Sequence, residues 1–240
     1  MDGDDYQETA EFHGLFMTEV WSGLRSVIGQ ELGHLDADDR IADLGAGTGL
    51  GSVALVEETR AQVWAVEPST TMRAVLLHRV ASSPEASPRV SVAAGSIPDA
   101  LDSVPVPVAA IVATHVLGHL GPKDTSALFA WIATALAPGG VALFTYQPAG
   151  LEDATDDEVP EQVAIGRHIY RATYRRAGEG YRTTYEVLDG DGEVVRSVIV
   201  SGTWSIVTYV DIAAAAEGCG LDCRQLAEGV AVVSRPARGS

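Results

Sequence analysis

Cysteine is nearly absent: Cys219 and Cys223 are the only two in 240 residues. A pair so close together at a predicted helix end cannot staple distant parts of a fold, and C-x-x-x-C matches neither a zinc nor a thioredoxin spacing. Both are expected to be reduced structural thiols. Lysine is scarcer still, with Lys123 alone among 16 Lys and Arg, against 33 Asp and Glu and a formal net charge of -17. Nucleic acids are bound by exchanging phosphate counterions for cationic side chains, so this balance disfavours a nucleic-acid partner and favours a small molecule. No apolar run approaches the roughly 20 residues of a membrane span, so no membrane partner is expected. The start, Met1-Asp-Gly-Asp-Asp, is acidic where a secretory signal is basic and then apolar, which leads to the expectation of a cytoplasmic protein. There is no internal repeat and no low-complexity tract.

What is present is a 46% hydrophobic chain, enough for one large domain with its own core. Phe12, Leu15, Phe16, Val20, Trp21, Leu24, Val27 and Ile28 recur at three- and four-residue intervals, which predicts an amphipathic helix over residues 6–28. From Arg40 onward, short apolar runs alternate with helical stretches. Ile41 to Leu44, Val63 to Val66, Val90 to Ala93, Val108 to Ala113 and Val141 to Thr145 read as buried strands, and Pro138-Gly139-Gly140 reads as the stop of a helix over 124–137. Such alternation implies a parallel sheet with right-handed crossovers and helices on both faces. The acidic stretch 152–158 reads as a solvated loop or, alternatively, a lid. Extended segments at 169–174, 181–188 and 194–200 follow, the last two joined by a hairpin turn at Asp189-Gly-Asp-Gly192. A helix over 210–217 and strands at 221–226 and 230–234 close the chain.

The chemistry gathers in Arg40-Ile-Ala-Asp-Leu-Gly-Ala-Gly-Thr-Gly-Leu-Gly51, a strand that ends in an acid and enters closely spaced glycines before a helix. Glycines there let the backbone turn sharply against a ligand. Gly49-Leu-Gly51-Ser-Val-Ala54 also satisfies the G-x-G-x-x-A of nicotinamide-dependent oxidoreductases, a weak match that keeps that reading open. The second strand ends in Glu67, a carboxylate suited to two ribose hydroxyls. Asp43 before the glycines, Gly95-Ser96-Ile97, Ala113-Thr114-His115 and Pro138-Gly139-Gly140 complete the set of strand ends.

In this order, over residues 40–148, these segments resemble the motifs of the class I S-adenosylmethionine-dependent methyltransferases. The resemblance implies a doubly wound α/β fold: a mostly parallel seven-stranded, Rossmann-like sheet with an N-terminal helix and an antiparallel β insert before the last helix. It implies S-adenosylmethionine as cofactor, with S-adenosylhomocysteine as product. Asp43, Gly45, Ala46, Gly47 and Gly49 would hold the methionine moiety, Glu67 with Pro68 the ribose, Met72 and Ile97 the adenine faces, and Gly95 with Ser96 the adenine edge. Thr114 and His115 would form the floor beneath the sulfonium. The chain departs from the family pattern at Ser96, where many members carry Asp, and at Val106-Pro-Val108, where an acid is common. Residues 1–36 are then an N-terminal cap, 37–148 the cofactor core, 149–208 a loop with the substrate-side insert, and 209–240 the last helix and closing strands, all in one domain.

Methyl transfer from a sulfonium is an in-line displacement that depends mainly on positioning and exclusion of water. A base helps a hydroxyl nucleophile, and His115 and His119 at the mouth of the fourth strand are the candidates. For His115 a cofactor-contacting or core role stands beside that of base. No metal is expected: His115 and His119 have the spacing of a ligand pair, but no Glu follows the first and Gly118 lies between them. Trp21, Tyr146, Tyr170, Trp204 and Tyr209 are the pocket candidates, and Phe12 and Trp21 are expected nearest the cofactor. Arg167, Arg171, Arg175 and Arg176 would meet either an acidic substrate or solvent. The expected activity is methyl transfer to O, N or C of a small molecule, as in natural-product biosynthesis. A protein that has kept this fold and lost transfer is the third reading.

Overall fold

The computed structural model describes residues 6–147, 160–177, 180–203 and 205–236. The acidic stretch 152–158 and Trp204 lie outside the described residues. In chain order the elements are α1 (Ala10–Leu32), β1 (Arg40–Leu44), α2 (Leu50–Glu58), β2 (Gln62–Glu67), α3 (Thr70–Ser82), β3 (Val90–Ala94) and β4 (Val108–Ala113). Then come α4 (Pro122–Ala135), β5 (Leu136–Thr145), β6 (Glu161–Ile165), β7 (His168–Ala177), β8 (Gly180–Leu188), β9 (Val194–Thr203), α5 (Tyr209–Gly218), β10 (Asp222–Ala227) and β11 (Val230–Ser234). Short 3-10 turns follow β3 at Asp99–Ser103 and β4 at Leu117–His119.

The main sheet has seven strands in the order β10-β11-β5-β4-β1-β2-β3. All pairs from β5 to β3 are parallel, while β11 runs antiparallel to both β5 and β10. This is the expected doubly wound fold. Both faces are covered: Ile41, Ala65 and Val112 pack with Leu55 of α2 and Leu76 of α3, and Leu44, Ile111 and Phe144 pack with Phe129 of α4 and Ile212 of α5. Burial on both faces is why these strands read as unbroken apolar runs. The chain winds outward from β1 through β2 to β3, then crosses back to β4 on the other side of β1. Between β1 and β4 the winding reverses, and the crevice at the carboxyl ends of strands beside such a reversal is where open α/β sheets bind ligands.

The second sheet, β6-β7-β8-β9, is antiparallel throughout. Its hairpin turn is as expected, with Asp189 Oδ1 accepting the N–H groups of Asp191 at 2.9 Å and Glu193 at 3.0 Å. The sequence reading misses β6, whose side chains are mostly exposed and show no apolar alternation. The stop assigned to Pro138-Gly139-Gly140 needs correction: α4 already ends at Ala135, and the three residues lie within β5, where its register with β4 shifts between Val108 and Ala110.

Helix α1 joins the two sheets. Phe12 is fully buried and stacks on Tyr185 at 4.8 Å between ring centroids, with Phe16 and Tyr170 beside it. Arg196 lies over the Phe12 ring at 5.2 Å from its centroid. Further along, Arg25 pairs with Glu57 and Glu58 of α2. Phe12 therefore faces the insert sheet and not the glycine loop, contrary to expectation. Successive helical residues point about 100° apart, and it is the next residue, His13, that reaches the loop.

Candidate functional site

The loop after β1 is shaped by its glycines. Gly45, Gly47 and Gly49 have φ of 72°, 55° and 83°, the left-handed region in which a side chain is strained. At Gly49 a Cβ would also meet Leu76 Cδ1 at 2.5 Å, so α3 packs directly on bare backbone. The amides of Gly45 and Ala46 donate to Val66 O at 2.9 and 3.0 Å, which ties the loop to the end of β2. Arg79 of α3 holds its far side, donating Nε–H to Thr48 O at 2.9 Å.

Glu67 ends β2 and is 4% exposed. Its Oε2 accepts the Gly47 N–H and its Oε1 the Ser69 N–H, both at 2.8 Å. One carboxylate thus fixes the glycine loop and the start of α3 together. Ser69 in turn caps α3, its Oγ accepting the Met72 N–H at 3.1 Å. Arg73 braces the same corner by donating to the carbonyls of Glu67 and Pro68 at 2.8 and 2.6 Å. Pro68 itself is exposed, and Met72 is buried beneath the corner.

Asp43 lies on the α2 side of β1, 1% exposed, where its Oδ2 accepts the Ser52 hydroxyl at 2.6 Å. Burial pushes its carboxyl up to about 6; the Ser52 bond opposes the shift and the Glu67 charge adds to it. Asp43 prefers its proton more in the fold than in the unfolded chain, so folding is favoured at low pH and this contribution is lost as pH rises through about 6. Unfolding measurements should show Asp43→Asn removing about 1 kcal/mol of stability loss that wild type suffers between about pH 5 and pH 7. Equal pH dependence in the two proteins would contradict this placement.

On the other side of the crevice, Thr114 and His115 follow β4. His115 has φ 56°, unusual for a side chain other than glycine, and its N–H donates to Thr145 Oγ1 of β5 at 2.7 Å. His119 lies on the following 3-10 turn, exposed, and its Nε2 shares a 3.1 Å hydrogen bond with the Tyr6 hydroxyl. Tyr6 also meets the His13 ring edge to face at 5.9 Å. Burial, with the His119 charge beside it, lowers the affinity of His115 for a proton. Burial likewise lowers His13 to about 4, with His115 and His119 adding to the shift. Three histidines and a tyrosine therefore meet at the mouth of β4, and burial disfavours the charged form of the two inner imidazoles.

The structure brings Asp43, Glu67, the loop glycines, Ala46 and His115 to the β1/β4 crevice. Gly95 sits after β3 with φ 148°, Ser96 is exposed, and Ile97 packs on the core. Of the pocket candidates, Trp21 packs its indole on Gly51 of α2, Tyr170 joins Phe12, and Tyr146 pairs with Tyr209 at 5.9 Å. Arg171 pairs with Glu186 across the insert. Cys219 and Cys223 are free thiols. Among the described residues, no group of three or more His, Cys, Asp and Glu is placed to hold a metal ion, and no helix is long and apolar enough to cross a membrane. The sequence reading missed Tyr6, His13, Ser52, Arg73 and Arg79. Only His13 left a trace, as a polar residue beside an otherwise apolar helical stripe.

Residues 41–140, the segment that builds this crevice, match the methyltransferase domain family model. Solved structures similar to this chain include CalS10, an amino pentose methyltransferase from Micromonospora echinaspora involved in calicheamicin biosynthesis. It is 19% identical, with a TM-score of 0.71 over 93% of this chain and 96% of that one. DesVI from Streptomyces venezuelae is 18% identical, with a TM-score of 0.70 over 96% and 99%. The sugar N-methyltransferase KedS8 from a Streptoalloteichus species is 18% identical, with a TM-score of 0.64 over 90% and 87%. No curated protein matches the sequence significantly.

Proposed function

We propose that the chain transfers the methyl group of S-adenosylmethionine to the nitrogen of a small-molecule acceptor, an amino sugar being the class. The observation that carries the donor is the corner where Glu67 binds the Gly47 and Ser69 amides at 2.8 Å each. That corner sets a buried carboxylate beside an open glycine backbone at the point where the winding reverses, and this suits a ribose lying next to a cationic amino-acid end. Asp43, a buried carboxylate directly before the glycines, stands where a dinucleotide would bring its phosphates, which disfavours the nicotinamide reading, whereas Glu67 at the ribose position suits either cofactor. When bound, S-adenosylmethionine supplies an electrophilic methyl carbon. Glu67 would hold the ribose, the loop from Asp43 to Gly49 the methionine moiety, and Met72, Gly95, Ser96 and Ile97 the adenine.

The acceptor reading rests on the similar structures, since CalS10 is described as an amino pentose methyltransferase and KedS8 as a sugar N-methyltransferase. A sugar amine arrives largely protonated near neutral pH and has no lone pair to offer. His115 would take that proton, with His119 and Tyr6 at the exposed rim as its way to solvent. With its lone pair freed, that nitrogen would be able to take the methyl group that the bound donor supplies. Incubation with S-adenosylmethionine and matched sets of amino sugars and their hydroxyl analogues, read by mass spectrometry, tests this. Methyl gain on the amines is expected; gain on the hydroxyl analogues alone, or none on either set, would overturn it.

A further inference from the structure

We propose that His13 is a ligand-binding residue of the methyl-donor site, its imidazole Nδ1 pairing with a hydrogen-bonding group of the S-adenosyl molecule seated on Gly47. The inference rests on the donor reading above and adds to the site a residue from outside the methyltransferase domain proper, which the family model matches over residues 41–140.

Placement comes first. A Cβ built on Gly47 would have His13 Cε1 as its nearest neighbour at 3.8 Å, so the imidazole covers the open side of the bare glycine. The next residue, Gly14, has Thr48 Oγ1 at 3.5 Å from its own Cβ position, so α1 runs closely along the loop. Neither the helix nor the ring is free to drift. Phe12 is fully buried in the insert sheet, Trp21 lies on Gly51, and Tyr6 flanks the ring of His13.

The second observation is chemical. Nδ1 of His13 is buried and makes no hydrogen bond among the described residues. A buried polar atom left without a partner is costly, and such atoms are few in folded proteins. If the position required only shape, an apolar side chain would fill it without that cost. A neutral imidazole facing a ligand cradle has a different use, because one ring nitrogen donates and the other accepts. It can thus meet a hydroxyl or a carboxylate without adding positive charge next to a sulfonium. The sequence places this residue between Phe12 and Phe16 on the buried side of α1, so the same helix that seals the insert also carries a polar group to the loop.

Calorimetry with S-adenosylhomocysteine on wild type, His13→Leu and His13→Asn, together with thermal unfolding of each without ligand, tests the proposal. His13→Leu is expected to weaken binding about tenfold, the equivalent of one buried hydrogen bond, while its unliganded unfolding temperature stays equal or rises. His13→Asn should recover part of the affinity, since its amide reaches close to the position of Nδ1. Unchanged affinity in His13→Leu would overturn the proposal. So would a joint loss of affinity and thermal stability that asparagine does not restore, which marks a packing role. Should the leucine variant fail to fold, His13→Ala serves with the same expected tenfold loss. Wild type that binds no S-adenosylhomocysteine would instead refute the donor site itself, an outcome visible before any variant is made.

Discussion

Glu67→Ala is expected to weaken S-adenosylhomocysteine binding about 10- to 100-fold and to lower the stability of the unliganded protein by about 2 kcal/mol. Both effects come from one carboxylate. It is 4% exposed, and its two oxygens hold the Gly47 and Ser69 amides. Truncation strands two donors in a poorly solvated corner, each costing about 1 kcal/mol or more. It also lets the glycine loop and the start of α3 move independently, so the ligand loses its ribose partner and the shape of its cradle together. Glu67→Gln keeps an acceptor oxygen for one amide and should fall between wild type and alanine in both measurements. Calorimetry and chemical denaturation on the three proteins check this. If Glu67→Ala binds as tightly as wild type, the ribose is held elsewhere.

The second large effect is expected at His115, where removing the imidazole should lower turnover on an amine acceptor at least about 100-fold, the usual contribution of a general base. The choice of variant matters because His115 has φ 56°. Alanine is strained in that region, whereas asparagine tolerates it, so His115→Asn preserves the backbone and the 2.7 Å bond to Thr145 while removing the base. The expected pattern is a fall in kcat, with S-adenosylhomocysteine affinity within about threefold of wild type. Raising the pH should restore part of the activity, since a larger fraction of the amine then arrives unprotonated. A small loss of kcat with no pH rescue would make His115 a wall of the pocket.

The fold was legible because its inner parallel strands are buried on both faces and therefore read as plain apolar runs between helical periods. The corner proposed to hold the cofactor is built from sequence-local pieces, an acid before clustered glycines and an acid at the end of the next strand, so its make-up was legible for a related reason. What remained hidden depends on which face meets which partner. The stripe of α1 showed that the helix is buried on one side but not that Phe12 faces the insert while His13 faces the loop. Asp43 was legible as a strand-end acid, yet its pairing with Ser52 arises only when α2 packs across β1. Strand β6 is too exposed to leave a period-two pattern.

An S-adenosyl ligand in the crevice between β1 and β4 is the condition for every role proposed above. Calorimetric titration of the wild-type protein with S-adenosylhomocysteine, and in parallel with NADH and NADPH, tests this most directly. Saturable one-to-one binding of S-adenosylhomocysteine with no heat from either nicotinamide is the predicted result. Binding of NADH or NADPH in the absence of any S-adenosylhomocysteine binding would contradict it.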